Sequence, residues 1–200
     1  MPKPLSVYLG GPDVFLPNAL EIYLAKTVLV LEAGFIPAIP GDVGIHGRKG
    51  EAPTEKSRDI FKADVATMQY SDFGLFNLTP FRGPSADVGT AFELGYMTAS
   101  GKPVFGYSNI VGDYVDRIAP KQAILADGQP PAWRDQDGCA IETYGNADNL
   151  MLDGALDLHG ALMVRYDAPL PQRLTDMTAF KLCLKVAQDY FVKAAAVKVG

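Results

Sequence analysis

At 200 residues, 48% hydrophobic and 20% charged, the chain has the composition of one ordinary globular domain, below the roughly 250 residues at which single cores give way to several. No apolar run approaches the about 20 residues that span a bilayer, which excludes an integral membrane helix. A net charge of -5 argues against a nucleic acid polymer as partner, because backbone binding needs a concentrated basic face.

Taken in chain order, short apolar runs alternate with helical patterns. "LSVYLGG" (Leu5 to Gly11) predicts a first strand. The helix after it has Asn18 and Glu21 as a capping box, an apolar stripe through Leu20, Tyr23, Leu24, Thr27, Val28 and Leu31, and Gly34 as its stop. "FIPAIP" reads as a short strand that its prolines push towards an edge. Beyond the polar segment "GDVGIHGRKGEAP", a helix is expected from about Thr54 to Tyr70, marked by Ile60, Phe61, Val65 and Met68, and then a strand at "DFGLFNLT". A helix over Val88 to Ser100 and a strand "PVFGYS" repeat the unit. The rhythm is then lost over about 110–145, a length that in a compact domain signals a functional or interface loop. "NLMLDGALDLHG" and "ALMVRY" predict a further helix and strand. A long amphipathic helix closes the chain, with Met177, Phe180, Leu184, Ala187, Phe191 and Ala194 on one stripe.

Such alternation predicts a single α/β domain over 1–200 with a parallel sheet covered by helices. Chemistry then belongs at the carboxyl ends of the strands, in the turns Tyr8 to Phe15, Pro40 to Glu51 and Asn77 to Thr90, and from Tyr107 onward. Several polar residues there break the pattern. Asp64 lies four residues from both Ile60 and Met68, on the apolar stripe, either at its edge near water or inside a pocket. Glu93 stands in the otherwise uncharged run Val88 to Ser100, with Gly89, Thr90, Tyr96 and Met97 as helical neighbours and no Lys or Arg to pair with. Burying such a carboxylate raises its pKa unless donors are found. Gly89 leaves the adjoining face bare enough to admit a ligand.

Asp87 is an N-cap by position, and its second oxygen would reach the crevice that Glu93 lines. Three carboxylates around one pocket suggest acid/base or nucleophilic work at an electrophilic carbon, as in glycosidic bond cleavage. Tyr8 is either core or a hydroxyl holding one of them. No Walker loop, G-x-G-x-x-G or G-x-S-x-G is present. His46 and His159 have no partner at metal spacing, so no metal is expected. Cys139 and Cys183 are too few for a disulfide scaffold, and "MPKPLSVYLGG" lacks a long apolar signal core, so a reduced, cytoplasmic protein is expected. Arg82 is either an exposed loop residue or a contact for phosphate or carboxylate; Asp42 is a turn residue or a ligand contact.

Three blocks carry a resemblance: "YLGGPDVF", then "ADVATMQYSDFGLFNLTPFRGPSADVGTAFELGYMTASGKPV", then "NADNLMLDGAL". In order and in content they resemble the nucleoside 2-deoxyribosyltransferases, from Val7 to about Leu152, with the match weaker over Ile110 to Asp137 and beyond the third block. The resemblance implies a flavodoxin-like, doubly wound fold of about five mostly parallel strands with helices on both faces. It implies transfer of a 2-deoxyribosyl group between nucleobases with retention and without a cofactor, the substrates being a 2'-deoxyribonucleoside and a free nucleobase.

In the pattern D-x-G-x-x-x-E-x-G, here Asp87, Gly89, Glu93 and Gly95, the glutamate is by resemblance the nucleophile. Asp64 then contacts the base or relays its proton, Asp87 is a second base-side carboxylate, and Tyr8 positions the nucleophile. Asn149 reaches the sugar hydroxyls of the adjacent subunit's site, which implies a homo-oligomer, at least a dimer and up to a hexamer. Gly10, Phe15, Asp42, Arg82, Gly89 and Met151 are the other positions expected to contact substrate, and the segment Gly41 to Pro53 or a neighbouring subunit is expected to close over it. "PFRG" resembles the purine-preferring branch, hence a role in purine salvage. Two alternatives stand beside this: a 2'-deoxynucleoside 5'-phosphate N-hydrolase, with Arg82 on the phosphate, and a non-catalytic nucleotide sensor of the same fold.

Overall fold

In the computed structural model, which describes residues 3–41, 52–124 and 132–197, the strands β1 (Ser6–Gly10), β2 (Ile36–Ala38), β3 (Phe73–Asn77), β4 (Val104–Ser108) and β8 (Val164–Arg165) form one sheet. Their order is β2-β1-β3-β4-β8 and every pairing is parallel. The proline-bearing β2 is an edge, as its sequence predicts. The helices are α1 (Ala19–Glu32), α2 (Pro53–Tyr70), α3 (Val88–Ala99), the short α4 (Tyr114–Arg117), α5 (Leu150–Asp157) and α6 (Thr178–Val197).

Strand alternation sorts the core into two layers. Val7 and Leu9 of β1 and Phe73 and Leu75 of β3 pack with Tyr23 and Val30 of α1 and Phe180, Leu184 and Ala187 of α6. Tyr8 and Phe76 face the other way, onto Met68 of α2, Leu94 and Met97 of α3 and Leu152 and Leu156 of α5. The chain leaves β1 towards β2 but resumes on its other side at β3, so the strand order reverses between β1 and β3. In doubly wound sheets that reversal opens a crevice at the carboxyl ends.

Two expectations are corrected. The helix α1 is rotated from the predicted stripe: Leu20, Leu24, Val28 and Leu31 are exposed, Leu20 by 64%, and the buried face carries Ile22, Tyr23, Lys26 and Val30. A buried ion pair between Lys26 and Asp13, at 2.8 Å, explains the rotation. The rings of Tyr23, Tyr107 and Phe180 surround the ammonium at 5.2 to 5.6 Å, a setting that an ammonium finds favourable. The capping box is absent too, since the Asn18 side chain makes no cap bond. Secondly, the segment read as irregular over about 110–145 holds α4 and an antiparallel sheet of β5 (Lys121–Ile124), β6 (Ala132–Asp135) and β7 (Ala140–Ile141) in sequence order. These strands are too short and polar to show an apolar period. Among the described residues no helix is long and apolar enough to cross a membrane.

Candidate active site

Glu93 stands on the second turn of α3, whose start is fixed by Asp87: the Asp87 Oδ2 accepts from the Thr90 amide at 3.0 Å and the Thr90 hydroxyl at 3.2 Å. This cap anchors the first turn from which the glutamate projects. On one side of Glu93 lie Thr90 and Met97, both buried; on the other lie Gly89 and Tyr96. The half-buried carboxylate reaches the middle of β1, where the Tyr8 hydroxyl donates to Oε1 at 2.7 Å. Tyr8 itself is fully buried. Burial first, then the charge of Glu93, push the Tyr8 hydroxyl far above its ordinary pKa, with Asp64 adding to the shift. The phenol therefore stays protonated, a permanent donor to the carboxylate.

Gly10, two residues beyond Tyr8 on the same strand, is what lets the carboxylate lie there. A β-carbon on Gly10 would come 2.7 Å from Glu93 Oε2 and 2.5 Å from the buried ring of Phe76. Neither neighbour can yield cheaply: the ring is packed and the carboxylate is tied to Tyr8. Gly10→Ala is therefore expected to displace Glu93, lowering turnover by about a hundredfold while destabilising the fold by only about 1–3 kcal/mol. Steady-state kinetics beside a thermal melt would check it; near-normal turnover in the folded variant would show that the carboxylate needs no such room.

Asp64 belongs to the same cluster. Half-buried on α2, it accepts from the Gly41 amide at 2.5 Å and is close enough to raise the Tyr8 pKa. The structure thus brings Tyr8, Gly10, Asp64 and Glu93 together from β1, α2 and α3, with Asp87 at the head of the helix that carries Glu93. Asp42 and most of the segment Gly41 to Pro53 lie outside the described residues.

Phe15 and Arg82 meet in a different way than a free loop arginine would suggest. The rings of Phe15 and Phe81 stack at 5.4 Å, and the Arg82 guanidinium covers both at 4.8 and 4.7 Å. Arg82 adopts φ 57, a left-handed conformation uncommon outside glycine, which the stacking offsets. Asn149 and Met151 stand at the start of α5. Asn149 caps α5, accepting from the Met151 amide at 3.0 Å, and donates to Glu142 at 2.7 Å. Met151 is 70% exposed and lines, with the 84% exposed Val88, an apolar groove of about 810 Å³ between α3 and α5.

Sequence reasoning missed the supports beneath these residues. Asp13, buried in the turn Pro12–Phe15 that follows β1, accepts from Lys26 and from Asn77 Nδ2. Asp148, equally buried, accepts from the Ser85 hydroxyl, the Ala86 amide at 3.0 Å, the Asn149 amide at 2.7 Å and Arg117 at 3.3 Å. One carboxylate thereby fixes both the lead-in to Asp87 and the start of α5. The Lys26 signal was present, since Lys26 falls three residues after Tyr23 and four before Val30. The Asp148 network spans more than sixty positions and had no local signal. Among the described residues no group of three His, Cys, Asp or Glu could hold a metal ion.

Comparison with known proteins finds similarity in both sequence and fold. The sequence model described as nucleoside 2-deoxyribosyltransferase matches residues 7–151. An uncharacterized protein of Schizosaccharomyces pombe is 34% identical over 168 residues, covering 78% of this chain and 79% of the relative. Among solved structures, a 2-desoxiribosyltransferase from Leishmania mexicana superposes with a TM-score of 0.64 at 26% identity, over 91% of this chain and 98% of that one. A conserved protein from Enterococcus faecalis V583 shares the fold at a TM-score of 0.53 and 20% identity, over 86% of this chain and 98% of that one.

Proposed function

Since the chain belongs to the nucleoside 2-deoxyribosyltransferase family, we propose that it moves a 2-deoxyribosyl group from one purine base to another through a covalent intermediate on Glu93. The observation that carries this is the Glu93 carboxylate held at one oxygen by Tyr8 and lodged against the bare backbone of Gly10. A carboxylate oxygen attacks the anomeric carbon as the carbon–nitrogen bond breaks. The base leaves with the bonding pair and takes a proton from Asp64 or Asp87. The nitrogen of a second base then attacks the same carbon, its proton passes to the Asp64 or Asp87 carboxylate that gave one up, the ester to Glu93 breaks and frees the carboxylate, and two inversions give net retention. The Tyr8 hydroxyl fixes the carboxylate in the attacking rotamer, which is a matter of orientation.

The test is to incubate the purified protein with deoxyinosine and adenine and to assay deoxyadenosine. Formation of deoxyadenosine supports transfer. Release of deoxyribose, or of its 5-phosphate from the deoxynucleoside 5'-phosphate, at the same rate with and without adenine makes the chain a hydrolase instead, and no turnover of any nucleoside or of its 5'-phosphate makes it a sensor. Efficient exchange between thymine and cytosine would overturn the purine assignment, which rests on "PFRG", without touching the mechanism. Inosine is expected to react far more slowly than deoxyinosine, because a 2'-hydroxyl withdraws electron density from an oxocarbenium-like transition state and must fit beside the nucleophile. Comparable kcat/KM values for the two would remove that ground.

The site is completed, in this reading, by a second copy of the chain. The α3/α5 groove leaves Val88 and Met151 in water beside Asn149, an apolar surface suited to an isologous contact. Asn149 of one subunit then reaches the sugar in the other. Glu93→Ala and Asn149→Ala subunits, each inactive alone, are expected to regain part of the activity when mixed. Mixed oligomers without recovery would place Asn149 outside the partner's site.

A further inference from the structure

A cleft of about 770 Å³ opens outside the carboxyl ends of β1, β3 and β4, and none of Tyr8, Gly10, Asp64, Asp87 and Glu93 lines it. Its walls are apolar and stiff, with Leu16, Pro80, Ile110 and Leu174 among them, and its cations are Arg117 and Arg173. Among the described residues no Asp or Glu lines it. Arg117 is fully committed to structure, since its nitrogens donate to the carbonyls of Pro84, Gly112 and Ala147 and to Asp148. Arg173 is not: its nearest carboxylate, Asp167, is 3.9 Å away, and its Nε donates to nothing.

Beside it, Asn109 is 1% exposed, and its Nδ2 donates to the carbonyls of Arg173 and Asp176 at 2.8 and 3.1 Å, while its Oδ1 accepts from nothing. The cleft wall therefore holds a buried donor without a partner, Arg173 Nε, and behind it Asn109 holds a buried acceptor without one, which folded proteins rarely leave so. The volume is that of a small-molecule site. The segment carrying Leu170, Arg173 and Thr175 lies beyond the family match, which ends at residue 151. About a third of the cleft's lining, five residues of fourteen, thus comes from sequence that the family pattern does not include.

The geometry points to a second ligand site, one that takes a small molecule with a flat apolar body and a single anionic group, carboxylate or phosphate. The anion pairs with Arg173, and the body lies between Leu16, Pro80 and Leu174. The site does not depend on the transfer reading, because no residue of that cluster contributes to it.

Calorimetric titration of the whole protein with phenyl phosphate, benzoate and benzyl alcohol tests it. At least one anion should bind saturably at one site, the two anions together telling phosphate from carboxylate, and benzyl alcohol should bind at least about tenfold more weakly, the worth of one charged hydrogen bond. Arg173→Ala should lose about tenfold or more. Gly83→Trp gives an independent variant: Gly83 lines the cleft and its β-carbon position is open, so an indole there occupies ligand space and should abolish binding. Glu93→Gln and excess deoxyinosine should leave the affinity unchanged. Binding by neither anion, equal binding of benzyl alcohol, or undiminished binding in folded Arg173→Ala or Gly83→Trp protein overturns the proposal. Competitive displacement by deoxyinosine also overturns it, by making the cleft part of the transfer site.

Discussion

Glu93→Ala is expected to lower the transfer rate by about three orders of magnitude or more, because the covalent route has no second nucleophile to fall back on. Asp64 is held by the Gly41 amide and Asp87 by Thr90, so neither can swing into the place that Tyr8 and Gly10 define for the glutamate. The fold should survive, since the substitution removes a half-buried charge and deprives the buried Tyr8 hydroxyl of its acceptor. That loss is about 1–3 kcal/mol. Rapid-quench kinetics would measure the rate, and mass spectrometry after a 2-fluoro sugar analogue should find the adduct on the peptide that contains Glu93. A variant retaining more than about a tenth of the rate, less than 1.4 kcal/mol of barrier, would sink the assignment, as would an adduct on another peptide.

The largest expected loss of stability lies beneath the site. Asp13→Ala leaves the Lys26 ammonium, 3% exposed, without its carboxylate, and stranding one member of a buried pair destabilises by about 3–5 kcal/mol. In a chain of this size that is a fall in Tm of roughly 6–20 °C. The three rings around Lys26 soften the effect without replacing the charge partner. The double substitution Asp13→Asn with Lys26→Met should recover most of the loss, because a thioether suits an aromatic cage and no charge is then buried. A single variant that melts within about 2 °C of wild type would show that water reaches Lys26 and that the pair is not a structural anchor.

Much of this molecule was legible in its residues. The strands β1, β3 and β4 and the helices α2, α3 and α6 fall where period and turn chemistry place them, and Asp87 is the cap that its position predicts. Glu93 and Asp64 announced themselves by being charged where a helix should be apolar. What stayed hidden depends on contacts made across the fold. The α1 helix is almost apolar all round, so its sequence could not say which face goes inward; the answer came from Asp13, a turn residue thirteen positions from Lys26. The Phe15, Phe81 and Arg82 stack joins two turns that are adjacent only because β1 pairs with β3.

The covering of one sheet face by α6 has a consequence for how the chain is made. The aromatic inner faces of β3 and β4, Phe73, Phe105 and Tyr107, are closed off by Phe180 and Phe191, and α6 begins roughly seventy residues after β4 ends. At the ribosome's pace of about 5–20 residues per second, several seconds pass before that helix is synthesised. Hydrophobic collapse takes microseconds. During translation the half-built sheet therefore carries an open aromatic face far longer than collapse requires, and it is in that interval, more than in the finished protein, that the chain exposes apolar surface to other chains.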